Sequence, residues 1–275
     1  MSEISTVTLN NGVPIPQFGF GVFQIEPERT ADAVKAAFDA GYRHIDTAQM
    51  HRNEEGVGRA IADSGIPRDE IFVTTKLDNA RHGHDEALGA IDESLDRLGL
   101  DHVDLFLIHW PRPKEDRYVQ TWKAFEQILR DGRSRAIGVS NFQIGHLERL
   151  AAETGTVPAV NQIELHPHFP QAELRAHHRA NAIGTEAWSP LAQGGALLTD
   201  ERLVALAEKY GRTPAQIILR WHIELGNIVF PKSVTPARIR ENIDVFDFEL
   251  AADDLTTIGE LETGARIGPN PDDFG

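Results

Sequence analysis

The stretch from Ile71 to Ser140 decides the fold. It opens with Ile71-Phe72-Val73-Thr74-Thr75-Lys76, passes through a helical pattern over 85–98, and returns to Val103-Asp104-Leu105-Phe106-Leu107-Ile108-His109. A second helical pattern over 119–130 leads to Arg135-Ala136-Ile137-Gly138-Val139-Ser140. Short β-rich runs bounded by Gly or polar residues thus alternate with longer segments whose apolar residues recur at three- and four-residue spacing. The same alternation extends in both directions. Runs at 18–22 and 43–46 precede it, runs at 159–162, 184–188 and 228–232 follow, and further helical patterns lie at 31–40 and 214–225. Thr213-Pro214-Ala215-Gln216 supplies an N-cap, a first-position proline and a capping-box glutamine, and Thr235-Pro236 opens another helix in the same way.

Eight β runs alternating with helices imply a parallel sheet, either open or closed. No Gly-x-Gly-x-x-Gly turn follows the first strand, as an open dinucleotide-binding sheet would show. Gly19-Phe20-Gly21 lies inside a strand run, lacks the third glycine and reads as packing. A (β/α)8 TIM barrel, typically about 250 residues long, fits the 275-residue chain as a single domain spanning 1–275. Before the first barrel strand, Val7-Thr8-Leu9 and Val13-Pro14-Ile15 flank an Asn-Gly turn, so an N-terminal β-hairpin is expected.

Composition narrows the function. With 27 basic and 42 acidic residues the net charge is −15, which disfavours nucleic acid and anionic membranes as partners. The absence of cysteine excludes disulfides, thiolate metal sites and cysteine nucleophiles. The polar start resembles no signal peptide and no apolar run approaches the length of a membrane span, so a cytoplasmic location is expected. His82-Gly83-His84-Asp85 reads as a solvated loop and His177-His178 as part of a polar helix, so no metal is expected.

In β/α barrels the reacting groups stand where strands end. Here the strand ends give Asp46, Lys76, His109-Trp110, Ser140-Asn141, Gln162, Trp188 and Lys232-Ser233. Any one of these has a bland explanation, as a cap, a solvated cation or a core histidine. Packing alone does not account for titratable, hydrogen-bonding or aromatic residues at seven strand ends out of eight.

Gly41-Tyr42-Arg43-His44-Ile45-Asp46-Thr47-Ala48, with Asn53-Glu54 and Val57-Gly58, resembles the signature of the aldo-keto reductases. The blocks 103–111, 137–142, 161–164 and 228–233 resemble further motifs of that family in order and spacing, so the likeness runs nearly end to end. Glu186-Ala187-Trp188-Ser189-Pro190-Leu191 is similar to the corresponding segment of its bacterial 2,5-diketogluconate reductases. The resemblance implies a monomeric NADPH-dependent reductase of small aldehydes, diketones or keto acids. It assigns catalytic roles to Asp46, Lys76 and His109. Ser140, Asn141 and Gln162 would hold the nicotinamide carboxamide and Trp188 would stack on its ring. Ser189, Leu191, Gln193 and Gly194 would line the pyrophosphate path, and Lys232, Ser233, Val234, Arg238, Glu241 and Asn242 would form the 2′-phosphate and adenosine end. Phe23, Met50, Trp110 and the tail over 267–271 would meet substrate.

One position departs from the pattern. The family's acid is a tyrosine five residues after the aspartate, and here that residue is His51. Imidazolium is a competent acid, yet a lysine charge nearby disfavours it. Histidine is shorter than tyrosine, so its proton would reach substrate through a water or His109 would become the donor. Two readings stay open: a reductase that uses His51 as acid and prefers lower pH, and a disabled barrel that still binds NADPH.

Overall fold

The computed structural model describes residues 4–274. Strands β1 (Thr6–Thr8) and β2 (Pro14–Pro16) pair antiparallel as a hairpin. The barrel strands follow: β3 (Phe20–Gly21), β4 (His44–Asp46), β5 (Phe72–Leu77), β6 (Val103–Ile108), β7 (Ser134–Ser140), β8 (Val160–Glu164), β9 (Gly184–Trp188) and β10 (Ile228–Val229). Each pairs in parallel with the next. Closure comes just before β3, where Phe18 bridges Val229 in parallel; Val229 N–H donates to Gln17 O at 3.0 Å and Gly19 N–H to Val229 O at 2.9 Å. No edge is left unpaired between the first and last strands.

Helices α1 (Pro27–Asp39), α2 (Glu54–Asp63), α3 (His84–Leu98), α4 (Tyr118–Arg130), α5 (Ile144–Glu153) and α6 (Ala172–Ala180) connect successive strands outside the barrel. Between β9 and β10 the chain makes two helices, α7 (Glu201–Tyr210) and α8 (Pro214–Glu224), and after β10 two more, α9 (Pro236–Ile243) and α10 (Ala252–Gly259). The Thr213–Gln216 capping box forms as the sequence leads one to expect, with reciprocal bonds of 3.3 and 3.0 Å. Gly58 lets α2 approach α3 closely, since a Cβ there would stand 2.2 Å from Leu98 O.

The barrel interior grades from apolar to polar. At the hairpin end Leu9 and Ile15 pack with Phe72, Leu105, Leu107, Ala136, Val160, Ile228 and Phe230. Asn10 and Asn11 tie the turn to the carbonyls of Pro158 and Arg135, both at 3.0 Å. Because side chains alternate along a strand, the next inward layer toward the C-terminal ends carries Asp46, Lys76, Gln162 and Glu186, all buried.

One expectation needs correction: His82 is buried rather than solvated. His177 and His178 lie on α6 as expected, but His178 faces the barrel, its Nε2 3.0 Å from Asn161 Nδ2 and its Nδ1 2.9 Å from Thr185 Oγ1. His82 and His178 are held neutral by burial, at about 4 and about 3 respectively. Their surroundings come from strands and loops distant in sequence, which a polar local context does not reveal.

Candidate active site

At the polar end of the barrel, Lys76 Nζ donates to Asp46 Oδ1 at 2.7 Å, to Oδ2 at 2.9 Å and to Thr47 O at 2.9 Å. Adjacent parallel strands β4 and β5 place the two side chains side by side, and both are buried. An ion pair this deep persists because every ammonium proton has an acceptor. Asp46 Oδ2 also accepts from Gln162 Nε2 at 2.9 Å, and the same amide donates to Glu186 Oε2 at 3.0 Å. Glu186 is pushed up to about 8, by burial first and by the charge of Asp46 second.

Two imidazoles stand above this layer. His109 follows β6, and His51 ends a single 3-10 turn, Gln49–His51, that follows β4. Their ring centroids are 5.9 Å apart, and Phe23 lies 5.0 Å from His51 on the other side. The turn is anchored through Gln49, which donates to Ala90 O and Ser94 Oγ and accepts from Asp78 N–H. Asn53 fixes the loop bearing Phe23, donating to Val22 O at 2.9 Å and Ile25 O at 3.2 Å while accepting from Thr47 Oγ1 at 2.8 Å. Burial, then Lys76, then His109 hold His51 well below the ordinary imidazole range. Burial and Lys76 bring His109 down to about 3. Both rings are therefore neutral at neutral pH, in line with the effect expected of a nearby lysine charge.

The Nδ1 atoms of both rings are buried without a hydrogen-bond partner. A buried orphan N–H is rarer in folded proteins than an under-satisfied acceptor. This favours the tautomer with the proton on Nε2, the nitrogen that keeps access to the cleft, in each ring.

The remaining candidate residues fall in two groups. Ser140 donates to Gln162 O at 2.8 Å; Asn141 donates to His109 O at 2.9 Å and accepts from Trp188 Nε1 at 2.8 Å. Trp188 thus shares a wall of the cleft with Asn141 and the His109 backbone. After β9, Ser189, Ala192, Gln193, Gly194 and Gly195 all have positive φ, between 48° and 83°. Such backbone turns N–H groups toward one side and suits an anion. Lys232, Val234 and Arg238 are exposed, while Ser233 is buried and accepts from Thr235 N–H at 3.1 Å. Neither Lys232 nor Arg238 forms an ion pair among the described residues, in a chain with 42 acidic side chains. Glu241 accepts from Thr213 Oγ1 at 2.9 Å beside buried Asn242. Met50 and Phe23 are exposed at the mouth, and Trp110 packs on Phe274 with centroids 4.6 Å apart. Among the described residues no cluster of three or more His, Asp or Glu could hold a metal, and no helix is long and apolar enough to cross a membrane.

The profile of the aldo/keto reductase family matches residues 17–263. The chain belongs to the aldo/keto reductase family. Among its relatives, an aldo-keto reductase of Mycolicibacterium smegmatis is 58% identical over 98% of this chain and 97% of that one. The methylglyoxal reductase DkgA of Escherichia coli is 48% identical over the full length of both. The crystal structure of a mutant of Gox0644 in complex with NADPH superposes with a TM-score of 0.96 at 46% identity, covering 100% of both chains.

Two residues of this family member escaped the sequence reading. Glu186 and Glu164 fall inside the blocks 186–191 and 161–164 but drew no role of their own. Alternation was the available signal, since Glu186 is two residues before Trp188 and Glu164 two after Gln162, each on the inward face of its strand.

Proposed function

We propose that this chain is an NADPH-dependent reductase of small carbonyl compounds, with aldehydes, diketones of the methylglyoxal type and keto acids as its substrates. One observation carries the reading: the buried Asp46–Lys76 pair lies beneath two neutral imidazoles at the mouth of a parallel barrel.

The residues present fit the cofactor. Lys232 and Arg238 are unpaired cations against an acidic background and suit a 2′-phosphate, with Ser233, Val234, Glu241 and Asn242 at the adenosine end. The positive-φ loop that includes Ser189, Gln193 and Gly194, with Leu191, suits the pyrophosphate. Ser140, Asn141 and Gln162 are assigned to orienting the carboxamide, and Trp188 to covering the flat ring. NADPH, when bound, supplies the hydride for the carbonyl carbon.

His51 and His109 then act as hydrogen-bond donors to the carbonyl oxygen through Nε2–H, and the Lys76 ammonium stabilises negative charge as it develops there. Phe23, Met50 and Trp110 form the rim that contacts substrate. The proton that completes the alcohol comes from the imidazolium form of His51, restored from solvent. Because that form is scarce at neutral pH, turnover rises as pH falls.

NADPH oxidation with methylglyoxal and small aldehydes, followed from pH 8 to pH 5, tests this alongside His51→Tyr. Activity should climb toward acid by up to about tenfold per pH unit. The tyrosine variant should be faster at neutral pH, within the range of about 10²–10⁴-fold that a positioned acid contributes. NADPH binding with no turnover at any pH, restored only by tyrosine, would mark a disabled barrel instead.

A further inference from the structure

Strand β8 ends on Glu164, a fully buried carboxylate outside the catalytic layer. It accepts N–H bonds from Ile267 at 2.5 Å and Gly268 at 2.8 Å, and lies 3.0 Å from His166 Nε2. Burial alone would raise this carboxyl, but the bonds from His166, Ile267 and Gly268 outweigh it and hold it below the ordinary carboxylate range. An ionised side chain therefore grips two consecutive backbone donors of the C-terminal tail. Charge-assisted bonds of this kind are roughly twice as strong as neutral ones.

The grip sets the tail against Trp188. A Cβ on Gly268 would lie 2.6 Å from Trp188 Cη2 and 3.1 Å from Glu164 Oε2. Gly268 is not among the residues of positive φ, so the position needs the missing side chain rather than backbone freedom. The far edge of the indole thus rests on bare backbone while its Nε1 donates to Asn141 Oδ1 at 2.8 Å. Contacts at both edges leave the ring one orientation. The tail is fastened further along as well, where Lys114 Nζ donates to Asp273 O at 2.8 Å and Phe274 packs at a tilt against Trp110.

We propose that Gly268, fixed by Glu164, is a positioning residue that seats the Trp188 indole at the angle from which it covers the nicotinamide. This rests on the proposed role of Trp188 as the stacking residue. A ring held at both edges is ordered before the cofactor arrives, so little freedom is lost on binding. A tail displaced by one methyl group tilts the ring and weakens binding, while the Asp46–Lys76 layer below is untouched.

The experiment is a double-mutant cycle read by NADPH affinity from fluorescence titration, with thermal unfolding as a check on folding. Trp188→Phe should weaken NADPH several-fold. Gly268→Ala in the native background should weaken it by about fivefold to tenfold. In the Trp188→Phe background, where Cη2 is gone, Gly268→Ala should cost nothing further. Glu164→Gln, which releases the grip without adding volume, should reproduce the loss. Native affinity in Trp188→Phe would remove the stacking role itself. A Trp188→Phe loss with Gly268→Ala and Glu164→Gln both like the native protein, or with additive losses in the cycle, would overturn the seating proposal.

Discussion

Replacing Glu186 by Gln should stabilise the protein by an amount that grows with pH. Glu186 is fully buried, and it is raised from 4.5 to about 8, chiefly by burial and then by Asp46, against partial relief from Gln162 and Lys76. In the unfolded chain it titrates at its ordinary value. Between about pH 4.5 and about pH 8 the folded state therefore holds a proton that the unfolded state has released, and stability falls with rising pH. Above about 8 the contribution levels off. At about 1.4 kcal/mol per pH unit, a window of three to four units amounts to on the order of 4–5 kcal/mol, an upper bound. Glutamine keeps the volume and an oxygen for Gln162 Nε2 but cannot ionise. Urea unfolding of both proteins across this window, compared at each pH, cancels the titration of every other group. The variant's advantage should be near zero at the acid end and a few kcal/mol at the alkaline end. A difference that stays flat, or that favours the native protein as pH rises, would refute the assignment of a buried proton to Glu186.

Other consequences follow from the same geometry. Lys232→Ala or Arg238→Ala should weaken NADPH by about 10–100-fold, as expected for loss of a charge-assisted bond worth about 1.5–3 kcal/mol, and leave NADH nearly unchanged; equal losses for both cofactors in a binding titration would exclude a 2′-phosphate clamp. Asp104 is buried and accepts from Arg68 at 2.8 Å, Arg135 at 2.7 Å and Val73 N–H at 2.9 Å, so Asp104→Asn should lower stability by about 1–3 kcal/mol in denaturant titration, with the chemistry of surviving folded protein intact. Gly58→Ala forces α2 and α3 apart against a backbone carbonyl 2.2 Å away, and overpacking of this kind costs about 1–3 kcal/mol; an unchanged midpoint of thermal unfolding would show that the helices shift freely.

The barrel was legible because its signal repeats: eight short runs alternate with helical patterns, and a parallel sheet is the only way to bury them all. The extra helices α7 and α10 carry no strand beside them, so counting the alternation does not place them. At the site, the strand ends identified Asp46, Lys76 and His109 as candidates before any distance was known, because polar residues closing apolar strands need partners. The two buried glutamates show where that logic stops, since Glu186 lies inside its strand and Glu164 two residues past the expected strand end at Gln162, so motif membership and inward alternation rather than a strand end mark them. His51 is the sharper case. Its identity and its offset from Asp46 are in the sequence, yet its protonation state is set by burial first and then by Lys76 and His109, which arrive from other strands. A tyrosine beside the same lysine would have its proton loosened by that charge, whereas an imidazole there has its acid form suppressed. On the proposed role of His51, the same field that assists the family's usual acid works against this one, and activity should rise as pH falls.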